Sequence, residues 1–101
     1  MLTHEKKRGT ITVRLTGDLD HNTAVQIREE LDRLIEDGSV KRLVFDLSEL
    51  GFMDSSGIGM MIGRYKTMAR RGGSVAVLPG GRQVDRLMEL SGLYQIIEKL
   101  A

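Results

Sequence analysis

The chain has 101 residues, 41% hydrophobic and 29% charged, with a formal net charge of +1 and no cysteine. That balance describes one folded domain with a modest core, and it excludes disulfides and thiolate metal sites. Lysine and arginine are scattered along the chain, and two tyrosines and two phenylalanines without tryptophan offer nucleobases little to stack on, so direct nucleic-acid binding is not expected.

No apolar run approaches the roughly 20 residues that cross a bilayer. The segment MLTHEKKRG has no apolar signal core. With cysteine absent as well, the expectation is a cytoplasmic protein with no membrane partner. His4 and His21 are far apart, and no HxxxH or HxH spacing exists, so no metal and no cofactor are expected.

Residues 10–16 alternate cleanly, with Ile11, Val13 and Leu15 on one face, and predict a half-buried strand. Residues 2–8 pair with it as a hairpin through Gly9. Residues 17–22 (GDLDHN) read as a loop. A helix is predicted over about residues 23–37, with Ala24, Ile27, Leu31, Leu34 and Ile35 as its apolar stripe. Asn22 or Thr23 is the expected N-cap and Gly38 the expected C-cap. Residues 42–47 (RLVFDL) read as a central strand and residues 48–54 as a loop.

The second helix is predicted over about residues 55–71, with Ile58, Met61, Ile62, Tyr65, Met68 and Ala69 facing the core. Arg70 and Arg71 suit its negative end, and Gly72-Gly73 stops it. A strand over 74–78, a turn at Pro79-Gly80-Gly81, a third helix over about 82–91, a stop at Gly92 and an edge strand at Ile96-Ile97 complete the chain. The order β-β-α-β-α-β-α-β implies an α/β fold, a mixed and mostly parallel sheet flanked by about three helices, with the first strand antiparallel.

The most unusual segment is Phe52-Met53-Asp54-Ser55-Ser56-Gly57-Ile58-Gly59, which follows a predicted central strand and opens a helix. Strand carboxyl ends are where α/β proteins meet ligands and partners, and a helix N-terminus tolerates a phosphate. Asp54 or Ser55 is then either a plain N-cap or the carrier of a functional hydroxyl. On a helical wheel Ser56, Gly59, Met60, Gly63 and Thr67 share one arc opposite the core stripe. Two glycines there are costly, so that arc is either an exposed docking face or the place where another internal element packs closely. Asp18 and Asp20 reach the same edge if their strand runs parallel to residues 42–47; otherwise they are solvated turn formers. Enzyme readings are weak: no GxSxG, SxxK, complete GxGxxG or GxxxxGK[ST] is present.

FMDSSGIGMMIGRYK (residues 52–66), LTGDLDHNTA (15–24) and LMELSGLYQII (87–97) together resemble the anti-sigma-factor antagonists, which are STAS-domain proteins. The resemblance extends over nearly the whole chain as a single domain, residues 1–101, and its pairing of LTGDLDH with GRYK is closer to the sporulation branch than to the general-stress branch. Members of that branch usually continue into a further C-terminal helix, and this sequence ends at Ala101. The resemblance implies a STAS-type fold and a protein that catalyses nothing itself. Unphosphorylated, such proteins bind an anti-sigma factor that is also a serine kinase and so release the sigma factor. Phosphorylation ends the antagonism, and a PP2C-type phosphatase restores it. Carried over by position, Ser55 is the phosphoacceptor. Asp18, Asp20 and His21 in the first loop, with Asp54, Ser56, Gly57, Gly59, Met60 and Gly63 on the second helix, form the partner-binding surface. A stressosome-like scaffold or a general-stress-type antagonist is the alternative.

Overall fold

The computed structural model describes residues 1–100. The chain opens with a hairpin of β1 (Leu2–Lys7) and β2 (Thr10–Leu15). Its two-residue turn, Arg8-Gly9, has φ of 52° and 80°, the left-handed pair that matches strand twist. Then follow β3 (Gly17–Leu19), α1 (His21–Leu34), β4 (Arg42–Asp46), β5 (Leu50–Met53), α2 (Ser55–Arg70), β6 (Ser74–Leu78), α3 (Arg82–Leu90), a single 3₁₀ turn (Leu93–Gln95) and β7 (Glu98–Lys99).

The main sheet has the order β1-β2-β4-β6-β7. Its β1–β2 pair is antiparallel and the other pairs are parallel, as expected. Parallel register sets Ile11, Leu43 and Val75 in one row and Val13, Phe45 and Val77 in the next. Ala24, Ile27 and Leu31 of α1, Ile58, Met61 and Met68 of α2, and Val84 and Met88 of α3 join these rows in one buried cluster. The helices thus share one face of the sheet. On the other face Arg14 pairs with Asp46 at 3.1 Å. Burial pushes the Asp46 carboxyl up, but hydrogen bonds from Ser48 and Arg14 outweigh it and hold the group below its ordinary range.

The structure corrects five of these readings. Residues 17–22 and 48–54 are not wholly loops: β3 and β5 pair in parallel as a separate two-stranded ribbon. At Gly17 (φ 82°) the chain swings out of the main sheet, a conformation that favours glycine. The N-cap of α1 is Asp20, not Asn22 or Thr23, because Thr23 sits where it returns the capping bond. Its C-cap is Ile35 rather than Gly38. Arg71, just past α2, donates to the Ile35 carbonyl and supplies the partner that helix end needs. The last strand lies at Glu98–Lys99, since the 3₁₀ turn carries the chain past Ile96, while Ile97 points into the core.

Candidate functional site

The ribbon decides where the site forms. Leu19 pairs with Met53, and the Asp54 N–H donates to the Leu19 carbonyl at 3.2 Å. One residue after each strand stands an aspartate that caps a helix: Asp20 for α1 and Asp54 for α2. The two helices therefore start side by side. They also end side by side, where Arg71 meets Ile35. Both positive helix ends face one edge of the molecule, beyond the carboxyl ends of the strands.

The two caps have different chemistry. The Asp20 carboxylate accepts from the Thr23 N–H at 3.0 Å, and the Thr23 hydroxyl accepts from the Asp20 N–H at 2.9 Å. That hydroxyl also donates to the Asp18 carbonyl at 2.8 Å. The hydrogen bond from the Thr23 N–H is the main reason the Asp20 carboxyl lies below its usual value. The Asp54 carboxylate accepts only from the Ser56 N–H, at 2.8 Å. No reciprocal bond forms, because the corresponding position is Gly57.

Ser55 is the first residue of α2 and is exposed, whereas Ser56 is half-buried. Of the two hydroxyls, Ser55 is the one open to a reacting partner. Asp18 and His21 are exposed on the same edge, and Asp20 is half-buried. Phe52, also on this edge, is 41% exposed. Behind Ser55, Gln83 of α3 takes both backbone groups of Met53. Its amide oxygen accepts from the Met53 N–H at 3.1 Å, and its amide nitrogen donates to the Met53 carbonyl at 2.7 Å. One side chain thus stands in for a third ribbon strand and fixes the residue that precedes Asp54.

Two of the partner-binding residues expected on α2 belong to the interior. Met60 is 6% exposed. Helix α1 lies along α2, so α2 is buried on two sides rather than one, and Met60 fills the seam. Gly57 is buried too. A Cβ there would stand 2.6 Å from Met53 Cγ and 2.9 Å from Leu19 Cδ2, so its lack of a side chain lets the helix sit on the ribbon. Gly59 and Gly63 differ: a Cβ on either would meet nothing within 4 Å. They line a cleft of about 410 Å³ between α1 and α2, together with His21, Val25, Arg28, Ser56, Met60 and Arg64.

Thr23, Phe52, Gln83 and Arg64 were not anticipated as site residues. For Arg64 a signal existed: it falls at helical spacing with Gly57, Met60, Met61 and Met68, an inward position for a charged residue. Gln83 carried none, since its partner is backbone distant in sequence.

Residues 2–101 match the STAS domain family. An anti-sigma F factor antagonist of Paenibacillus polymyxa is 42% identical over 93 residues, covering 92% of this chain and 80% of that protein. The solved structure of the anti-sigma factor antagonist SpoIIAA in its unphosphorylated form superimposes with a TM-score of 0.87 at 30% identity, covering 100% of this chain and 89% of that one. The Bacillus cell fate determinant SpoIIAA in its phosphorylated form gives 0.78 at 29% identity, covering 100% and 92%.

Proposed function

The chain belongs to the STAS domain family, and from that premise we propose that it is an anti-sigma factor antagonist switched by phosphorylation of Ser55. In the unphosphorylated state it binds an anti-sigma factor that is also a serine kinase, and the sigma factor is released. The kinase transfers the terminal phosphoryl group of ATP to Ser55 Oγ, leaving ADP and the hydroxyl proton. A PP2C-type phosphatase hydrolyses the phosphoester and restores binding. The whole domain, residues 1–101, acts as substrate and partner in the cytoplasm and performs no catalysis.

The observation that carries this reading is the exposed Ser55 hydroxyl at the start of α2, beside the start of α1. A phosphate there adds roughly −1.5 to −2 charges. Two positive helix ends accommodate that charge within the unaltered domain. A partner surface lying flush against the same edge must desolvate it, and an uncompensated buried charge is strongly unfavourable. One site can therefore be stable in both states while binding only in one. The relatives support the same reading: one is named as an antagonist of an anti-sigma factor, and a similar structure is of a phosphorylated form.

The test uses the cognate anti-sigma kinase and ATP. Intact mass should rise by one phosphate, placed at Ser55 by fragmentation, with no incorporation in Ser55→Ala. In titration calorimetry wild type and Ser55→Ala should bind the kinase, and Ser55→Asp should bind much more weakly. Phosphate mainly on Ser56 would overturn the assignment of the site. Equal binding by all three proteins is the result expected of a passive scaffold.

A further inference from the structure

Among the described residues the least satisfied polar group is Arg64. It is 9% exposed, yet its Nε and Nη1 are buried with no hydrogen-bond partner among those residues. One carboxylate oxygen of Asp32 lies 3.1 Å from Nε, without hydrogen-bond alignment, and the Asp32 side chain is itself 51% exposed. Burial depresses the Arg64 pKa, Asp32 partly opposes this, and Arg28 adds like-charge repulsion. A guanidinium carries five donors in a rigid fork that matches a carboxylate. Folded proteins rarely leave such donors unpaired in the interior. Replacing a buried ion pair by apolar residues is often neutral or stabilising, and removing one partner is costly where it strands a buried charge, which the exposed Asp32 is not. Holding Arg64 in place therefore brings the isolated domain little.

Its surroundings suggest what completes it. The cleft between α1 and α2 carries three basic residues, His21, Arg28 and Arg64, and no acidic one. Gly59 and Gly63 leave its floor open, and Val25, 40% exposed, gives it an apolar wall. The cleft reaches Ser56 and is continuous with the edge that presents Ser55.

We propose that this cleft receives an acidic side chain of the anti-sigma factor, and that its carboxylate pairs with the Arg64 guanidinium. The inference rests on the antagonist reading above and names the chemistry of its docking surface. Charge complementarity selects an acid, and continuity with the Ser55 edge selects the protein that acts on Ser55. The carboxylate would supply acceptors that Asp32 supplies only in part, and would offset the mutual repulsion of Arg64 and Arg28.

The test is titration calorimetry of the full chain against the cognate anti-sigma kinase with nucleotide, at low and at physiological salt. Thermal melting is followed in parallel. Arg64→Met should bind at least tenfold more weakly and with less dependence on salt, while melting at the same temperature or higher. Arg64→Lys, which keeps charge but loses the fork, should fall between. Arg28→Glu, an exposed change that leaves Arg64 in place and exchanges a repulsive neighbour for an attractive one, should also weaken binding at least tenfold while melting at the same temperature or higher, and it decides the matter if Arg64→Met does not fold. Wild-type affinity in folded Arg64→Met, or in Arg28→Glu, overturns the proposal while the antagonist reading stands. A wild-type chain that does not bind the kinase at all removes both.

Discussion

The starts of α1 and α2 look alike in backbone and differ in chemistry. Both N-caps are aspartates with nearly the same angles, φ −109° and ψ −172° at Asp20, φ −111° and ψ −172° at Asp54. Around Asp20 the bonds close on themselves: Thr23 returns the cap and its hydroxyl reaches back to Asp18. Around Asp54 they do not, because Gly57 has no side chain to return anything. The first start is tied down, and the second leaves a hydroxyl facing solvent. The proposed switch would use both, a fixed edge against which a partner registers and a reactive group free to be modified. With the same cap, threonine three residues later gives the tied start, while glycine there and Ser55 as the first helical residue give the open one.

The sharpest way to break this comparison is to give α2 the side chain it lacks. Alanine at Gly57 gains up to about 1 kcal/mol in helix propensity. Its Cβ, however, lands within 3 Å of Met53 Cγ, Met53 Sδ and Leu19 Cδ2, atoms of two fully buried side chains. Overpacking of this kind costs about 1–3 kcal/mol. Gly57→Ala is therefore expected to be net destabilising in chemical denaturation, and a gain in stability would show that α2 does not rest on the ribbon.

Removing the caps is the next step down. Asp54→Ala should cost about 1 kcal/mol. Asp20→Ala should lower the melting temperature further than Asp54→Ala, since it unties the whole Thr23 arrangement. Acid gives the same comparison a second readout. The Asp20 carboxyl is held below its ordinary value of 3.8, first by the Thr23 N–H. A lowered folded pKa means the stabilisation is present above the unfolded value and is lost as pH falls through the folded one. Melting measured from pH 5 down to about pH 2.5 should thus drop more steeply for wild type than for Asp20→Asn. Parallel curves would show that the Asp20 charge takes no part in the cap.

Why the site was only partly legible follows from the same residues. Strands β2, β4 and β6 announce themselves by alternation or by continuous apolar runs, so the parallel sheet and the shared edge could be read. The ribbon strands, GDL and LGFM, are three and four residues long and carry no period. Each exists because the other lies beside it, and sequence alone does not show that proximity. A helical wheel assumes one buried face per helix. It therefore placed Met60 in solvent, although α1 covers a second face of α2. The DSSG run could be singled out because it follows a central strand and opens a helix, where a hydroxyl meets unpaired N–H groups. The clamp from Gln83 could not, since an exposed-looking glutamine has no pattern.

The smallest effect, with the opposite sign, comes from Gly63, six residues further along the same helix and on a different face from Gly57. Both glycines lie on α2 and both weaken it as a helix. At Gly63 a Cβ would meet nothing within 4 Å. Alanine there keeps helical backbone angles, removes conformational freedom from the unfolded chain and forces no neighbour to move. Gly63→Ala should therefore stabilise the domain by about 0.5–1 kcal/mol, or a few degrees in melting temperature. The added methyl also stands in the cleft that lies beside Arg64. The same variant should accordingly bind the anti-sigma kinase less well while being more stable. A stabilised variant with undiminished binding would place the docking surface away from this face. A destabilised one would mean that Gly63, like Gly57, is a point of internal packing. Opposite signs at Gly57 and Gly63 divide α2 into a face that holds the fold and a face left open.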